Sequence, residues 1–294
     1  YLNYFVLPNA SAISFLSIAS WPAAVSHGPF ALFAIVFAGS TLAAAQSETT
    51  EKKWRLALIV LGILALGAEV FLNSSRTGYV TEFVILLCLL VQSKKISQAC
   101  MVGITIAIIF GGAYYFSAVF KGRVNTAYNS VQQYAQGKTN QTSAGVRLKF
   151  YTTSWGIIKQ SGPVALLFGN GGGSYPLMTK AYFAQLKNKN PNFDYSAFNN
   201  PHNQYLLFLV NNGLVGLMLL LAFLYYFWKY IKKLPPLWFV TGWISLVAMM
   251  VNMTFNAALM DFATSMFFIT LTGLYASYKP DCSFLSLKDK QSKT

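Results

Sequence analysis

Long apolar runs separated by short basic connectors dominate the chain, and they set the first reading. A membrane-crossing helix needs about 20 mostly apolar residues. Such runs fall at roughly 29–46, 54–72, 78–92, 99–120, 204–230, 237–256 and 258–277, with a weaker one at 9–26 interrupted by Pro22. Segment 121–203 breaks the pattern. Within it, "SAGVRLKFYTTSWGIIKQSG" places Val146, Phe150, Ile157 and Ile158 at near-helical spacing and predicts an amphipathic helix. "LMTKAYFAQLKN" predicts a second, and the cluster "GNGGGSYP" separates the two. The expected fold is therefore all-α: a polytopic membrane bundle of seven or eight transmembrane helices carrying one large helical loop. It divides into N-terminal spans (1–120), the loop (121–203), C-terminal spans (204–277) and a tail (278–294).

Composition agrees with the pattern. Of 294 residues, 55% are apolar and 10% charged, with a mean hydropathy of +0.46, which excludes a single water-soluble core. The chain opens on Tyr1 with no segments in signal-peptide order, so it is expected to be the C-terminal part of a longer protein. Cys88, Cys100 and Cys282 supply neither a disulfide framework for the loop nor a metal cluster.

Charge adds an orientation. Lys52, Lys53 and Arg55, then Lys94 and Lys95, then Lys229, Lys232 and Lys233, and finally the tail with Lys279, Lys288, Lys290 and Lys293 all fall on one side when spans are counted. Basic loops stay in the cytoplasm, so the connector "NSSRTG" (73–78), a turn near Asn256 and the long loop face outward. That loop holds nine Lys and Arg against the single acid Asp194, a net +8, which calls for an anionic ligand.

Candidate chemistry gathers on the outward side. Asn199 and Asn200 suit an N-cap and Pro201 the first helical position, which puts His202 in the first turn of the next helix. The positive end of a helix dipole disfavours imidazolium, so a neutral general base fits there, as does a histidine that merely caps a helix at the lipid interface. Arg76 is the only charge in its connector, with Glu69 and Glu82 near the outer ends of the flanking spans. Either the acids neutralise Arg76 structurally, or they orient it toward a phosphate that its planar guanidinium binds in bidentate fashion. Asp261 is a candidate for the same network. Arg147 lies one turn before Tyr151 and two before Ser154. Gly171, Gly172 and Gly173 offer a backbone nest for an anion, although their spacing is not that of a P-loop. The chain contains no DxD, GxSxG, HExxH, Walker or Rossmann pattern, so no metal or cofactor is expected, and no nucleic-acid partner.

These residues resemble the O-antigen ligase, polymerase and O-oligosaccharyltransferase superfamily of bacterial membrane glycosyltransferases. His202-Asn203, nine residues, then Gly213-Leu-Val-Gly216 is similar to its ligase signature, with "SRTG" at 75–78, Arg147 and the glycine cluster in the family's order. The resemblance implies metal-independent transfer of a glycan from undecaprenyl diphosphate to an acceptor hydroxyl at the periplasmic face of the inner membrane. His202 is then the base and Arg76 and Arg147 the diphosphate clamp, with Asn203, Tyr151 and the three glycines as further substrate contacts. The acceptor is lipid A-core for a ligase, another lipid-linked glycan for a polymerase, or a Ser or Thr hydroxyl for an oligosaccharyltransferase. Readings of another class, a transporter or flippase and a noncatalytic subunit, are disfavoured because polar groups cluster at one face rather than at the midplane. The family has more spans than this chain, so N-terminal spans are expected to precede Tyr1.

Overall fold

A computed structural model describes residues 27–47, 50–72, 75–92, 96–135, 143–189 and 198–278. The run 9–26, the tail with Cys282 and its lysines, the connector Lys94–Lys95, Lys138 and Asp194 lie outside the described residues. Those described form helices and no strand: α1 (His27–Gln46), α2 (Lys52–Leu72), α3 (Arg76–Gln92), α4 (Ile96–Ile106), a π-helical turn (Ala107–Gly111), α5 (Gly112–Phe116), α6 (Ala118–Ala135), α7 (Ser143–Gln160), α8 (Pro163–Phe168), α9 (Tyr175–Lys189), α10 (Gln204–Ile231), α11 (Pro236–Phe255) and α12 (Phe262–Ser277).

All seven of the stronger apolar runs are helical, because a backbone without water must satisfy its own hydrogen bonds. On length and composition, Lys52–Phe71, Gln204–Ile231 and Pro236–Phe255 are able to cross a membrane, against the seven or eight spans that hydropathy suggests. A fourth is the broken pair Gly103–Phe116 and Ala118–Ser130, bent by 92°. Phe30–Ala45 and Phe262–Ser277 are shorter apolar helices. Rows of exposed Leu, Ile and Val on α2 (Leu56, Ile59, Val60, Ile63, Leu64) are unsuited to water and mark a membrane protein.

The expected continuous run 99–120 is cut at Ser117, whose backbone is extended (φ −103°, ψ 109°). Its hydroxyl accepts the Phe120 N–H at 3.2 Å, so one serine ends α5 and caps α6. The right-angle turn sets α6 across the preceding run and against α2 and α7.

Two apolar clusters hold the bundle. One joins α1, α3, α10, α11 and α12 through Leu32, Ile35, Ile85, Leu224, Ile231, Met249 and Phe268. The other joins α1, α2, α3 and α6 through Leu66, Val70, Tyr79, Leu86 and Phe120. A third, smaller cluster packs Ile157 of α7 and Tyr175 of α9 on Leu207 and Val210. The first third of α10 therefore belongs to the core of the helical cap, and the remainder to the bundle.

The junction is Gly213, the one residue inside α10 with non-helical angles (φ 66°, ψ −166°). The break frees carbonyls from their usual partners, which is costly where they are buried. The glycine loop supplies the missing donors: Asn170 N–H reaches the Val210 carbonyl at 3.1 Å and Gly171 N–H the Asn211 carbonyl at 2.9 Å. Asn170 Nδ2 also donates to Val210 O, and Ser174 Oγ to Asn211 Oδ1. A Cβ on Gly169 would strike the Asn211 carbonyl, and one on Gly213 the Leu167 carbonyl. Both positions also have positive φ, so glycine is required at each.

Candidate active site

The helix after the histidine begins later than the sequence suggests. Asn203, not Asn199 or Asn200, is the N-cap of α10: its backbone is extended (φ −155°, ψ 117°) and its Oδ1 accepts the Leu206 N–H at 3.0 Å. His202 therefore lies outside the helix rather than in its first turn. It adopts φ 47°, the only positive φ at a non-glycine among the described residues. Asn200 Oδ1 accepts the His202 N–H at 2.9 Å and helps to hold this turn. Such left-handed geometry costs of order 1 kcal/mol or more and persists where surroundings impose it, often at functional positions.

The imidazole stacks on Phe150 of α7 (centroids 5.2 Å, planes 23° apart), and Phe150 in turn meets Phe198 edge-on at 4.4 Å. Partial burial in this aromatic setting, and then the charge of Arg147, lower the His202 pKa below its ordinary value. The shift runs in the direction expected of this histidine, from these causes rather than from the first turn of a helix.

Arg147 lies one turn before Phe150 on α7, and its charge also acts on Arg76, the first residue of α3. Its charge thus reaches both His202 and Arg76, which come from separate elements. Ser75 Oγ accepts the Gly78 N–H at 3.1 Å and turns the chain into α3. A Cβ at Gly78 would collide with the Glu69 carboxylate and with Ala31, which explains the glycine of "SRTG".

Glu69 and Glu82 are both wholly buried near this end of the bundle. Tyr79, one turn after Arg76, lies in the field of both. Neither oxygen of Glu82 has a hydrogen-bond partner among the described residues. Asp261 precedes α12 and accepts the Thr264 hydroxyl at 2.8 Å, and it is not among the charges acting on Arg76 or His202.

Some of the other expected substrate contacts also bond within the scaffold. Asn203 Nδ2 donates to the Thr254 carbonyl at 2.9 Å, and the Tyr151 hydroxyl to the same oxygen at 3.4 Å, tying α10 and α7 to the end of α11. The Gly171 amide is committed to the α10 break, while Gly172 and Gly173 are exposed.

One cation was missed in the sequence. Arg123 of α6 acts on Arg76 more strongly than Arg147 does. Among nine loop cations nothing in local sequence marks it, since its position depends on the turn at Ser117.

Fold and site together describe a helical membrane protein with a histidine of lowered pKa and with Arg76 in the fields of Arg123 and Arg147. A family model described as O-Antigen ligase matches residues 61–221, just over half the chain and all of the site from Arg76 to His202, and the chain belongs to that family of ligase- and polymerase-type membrane glycosyltransferases. No curated protein matches it.

Proposed function

We propose that this protein is an O-antigen ligase of the inner membrane. It moves a glycan, without a metal, from undecaprenyl diphosphate to a hydroxyl of lipid A-core at the periplasmic face. The observation that carries the reading is the convergence of His202, Arg76 and Arg147. In the transfer step the acceptor oxygen bonds to the anomeric carbon as that carbon's bond to the diphosphate oxygen breaks. The hydroxyl proton passes to the neutral imidazole of His202, and the bonding pair departs on undecaprenyl diphosphate. Arg76 and Arg147 hold the phosphates and stabilise the charge gathering there.

The topology reading draws support from the opposite end of the bundle, where Lys52, Lys53, Arg55, Lys232 and Lys233 collect. The broken α10 is the feature a transporter would use, yet its freed carbonyls already accept from Asn170 and Gly171. Polymerase and O-oligosaccharyltransferase differ from ligase only in acceptor. Deleting the gene and examining lipopolysaccharide and pilin together separates them. Lipid A-core lacking polymer supports the ligase, whereas altered chain length or unglycosylated pilin would replace it with one of the others.

A further inference from the structure

The cluster contains one more cation than a diphosphate clamp of two arginines. Arg123 is set in place by a ring contact: Phe120, one turn before it on α6, lies against Tyr79, one turn after Arg76 on α3, with centroids 4.8 Å apart. Phe120 is buried, so this contact pins the start of α6 beside the start of α3. The preceding cation on α6, Lys121, sits over the Tyr114 ring instead. Neither Arg123 nor Arg147 is ion-paired with a described carboxylate. Arg76 on α3 therefore stands in the fields of Arg123 on α6 and Arg147 on α7, and like charges held near one another favour an anion among them.

A sugar-linked polyprenyl diphosphate carries one negative charge on each phosphate. When the bond from sugar to phosphate oxygen breaks, the bonding pair stays on that oxygen and adds one more. We propose that Arg123 is a further catalytic residue that binds this third charge, so that Arg76 and Arg147 match the donor and all three arginines match the leaving group. An interaction that strengthens only as the bond breaks raises kcat more than it lowers KM. This inference rests on the glycosyl-transfer reading of the same site.

The test is steady-state kinetics of the purified full-length protein with a lipid-linked glycan donor and its acceptor. Arg123→Gln is expected to reduce kcat by about 10-fold or more while the donor KM changes by less than about 3-fold. Arg123→Lys should recover much of kcat, and inhibition by inorganic pyrophosphate should weaken in Arg123→Gln. An unchanged kcat, or a loss confined to KM, would overturn the proposal. Arg76→Gln and His202→Ala serve as references. If they abolish transfer while Arg123→Gln behaves as wild type, this inference alone fails; if they too behave as wild type, the reading of the whole site fails. Because Arg123 is exposed, unchanged thermal unfolding of Arg123→Gln is the control for folding.

Discussion

His202 concentrates the argument at the scale of single residues. A base works only in its neutral form, and burial together with the Arg147 charge shifts His202 toward that form by lowering its pKa. Transfer should therefore be level around neutral pH and decline only as pH falls through that lowered pKa. Removing the positive charge in Arg147→Gln takes away one of the two lowering causes, so the acidic decline should begin at higher pH in a kcat–pH profile. A profile unmoved by that change would detach Arg147 from the base. His202→Ala should cost about 100-fold or more in transfer at unchanged protein level. His202, Arg76 and Arg147 were each visible in the sequence as polar residues at borders or on an amphipathic helix. That they serve one site was implied only by the family resemblance, because residues 76, 147 and 202 are related in space only by how α3, α7 and the N-terminus of α10 pack.

At the scale of elements, the break in α10 and the loop before α9 form one unit. Gly213→Ala must place a Cβ against the Leu167 carbonyl at positive φ, with an expected loss of at least about 2 kcal/mol, read as a lower unfolding midpoint in detergent. A variant as stable as wild type would show that the kink is not obligatory. The cap has a similar dependence at its centre: Ser154 Oγ lies 2.8 Å from the buried Tyr175 hydroxyl, whose pKa burial pushes up to about 12. Ser154→Ala leaves that hydroxyl without its partner and should cost about 1–3 kcal/mol, whereas adding Tyr175→Phe should return part of the loss. Of the two amphipathic helices expected in the loop, α9 buries Tyr175, Thr179 and Phe183 one turn apart, whereas α7 buries Thr153, Ser154 and Ile157 and leaves Val146 of the expected stripe exposed. Helix α6 escaped notice because an apolar run into Phe120 looks continuous until Ser117 caps a new helix within it. The glycine cluster suggested an anion nest; its first amides answer carbonyls some 40 residues later, a pairing no local pattern reveals.

For the whole molecule, opposite ends carry different charges: His202 and three arginines at one, the connector cations at the other. Cysteines placed at Gln185 in the cap and at Lys233 in the opposite connector, in a background without Cys88, Cys100 and Cys282, should label oppositely with an impermeant maleimide in intact cells. Gln185→Cys should react and Lys233→Cys should not, and the reverse pattern would invert the orientation.

The sequence alone determined that this is a helical membrane protein, because apolar runs of this length leave their backbone no partner but the helix itself. It also determined the charge asymmetry between the ends, which needs only counting. The tertiary structure decided where the charges lie. The turn at Ser117 delivers Arg123 to Arg76, the N-cap at Asn203 forces His202 into a left-handed turn against Phe150, and the Gly169–Gly213 approach seats the cap on a broken span. Each is a contact between residues distant in the chain, and such contacts exist only once packing has set the separations.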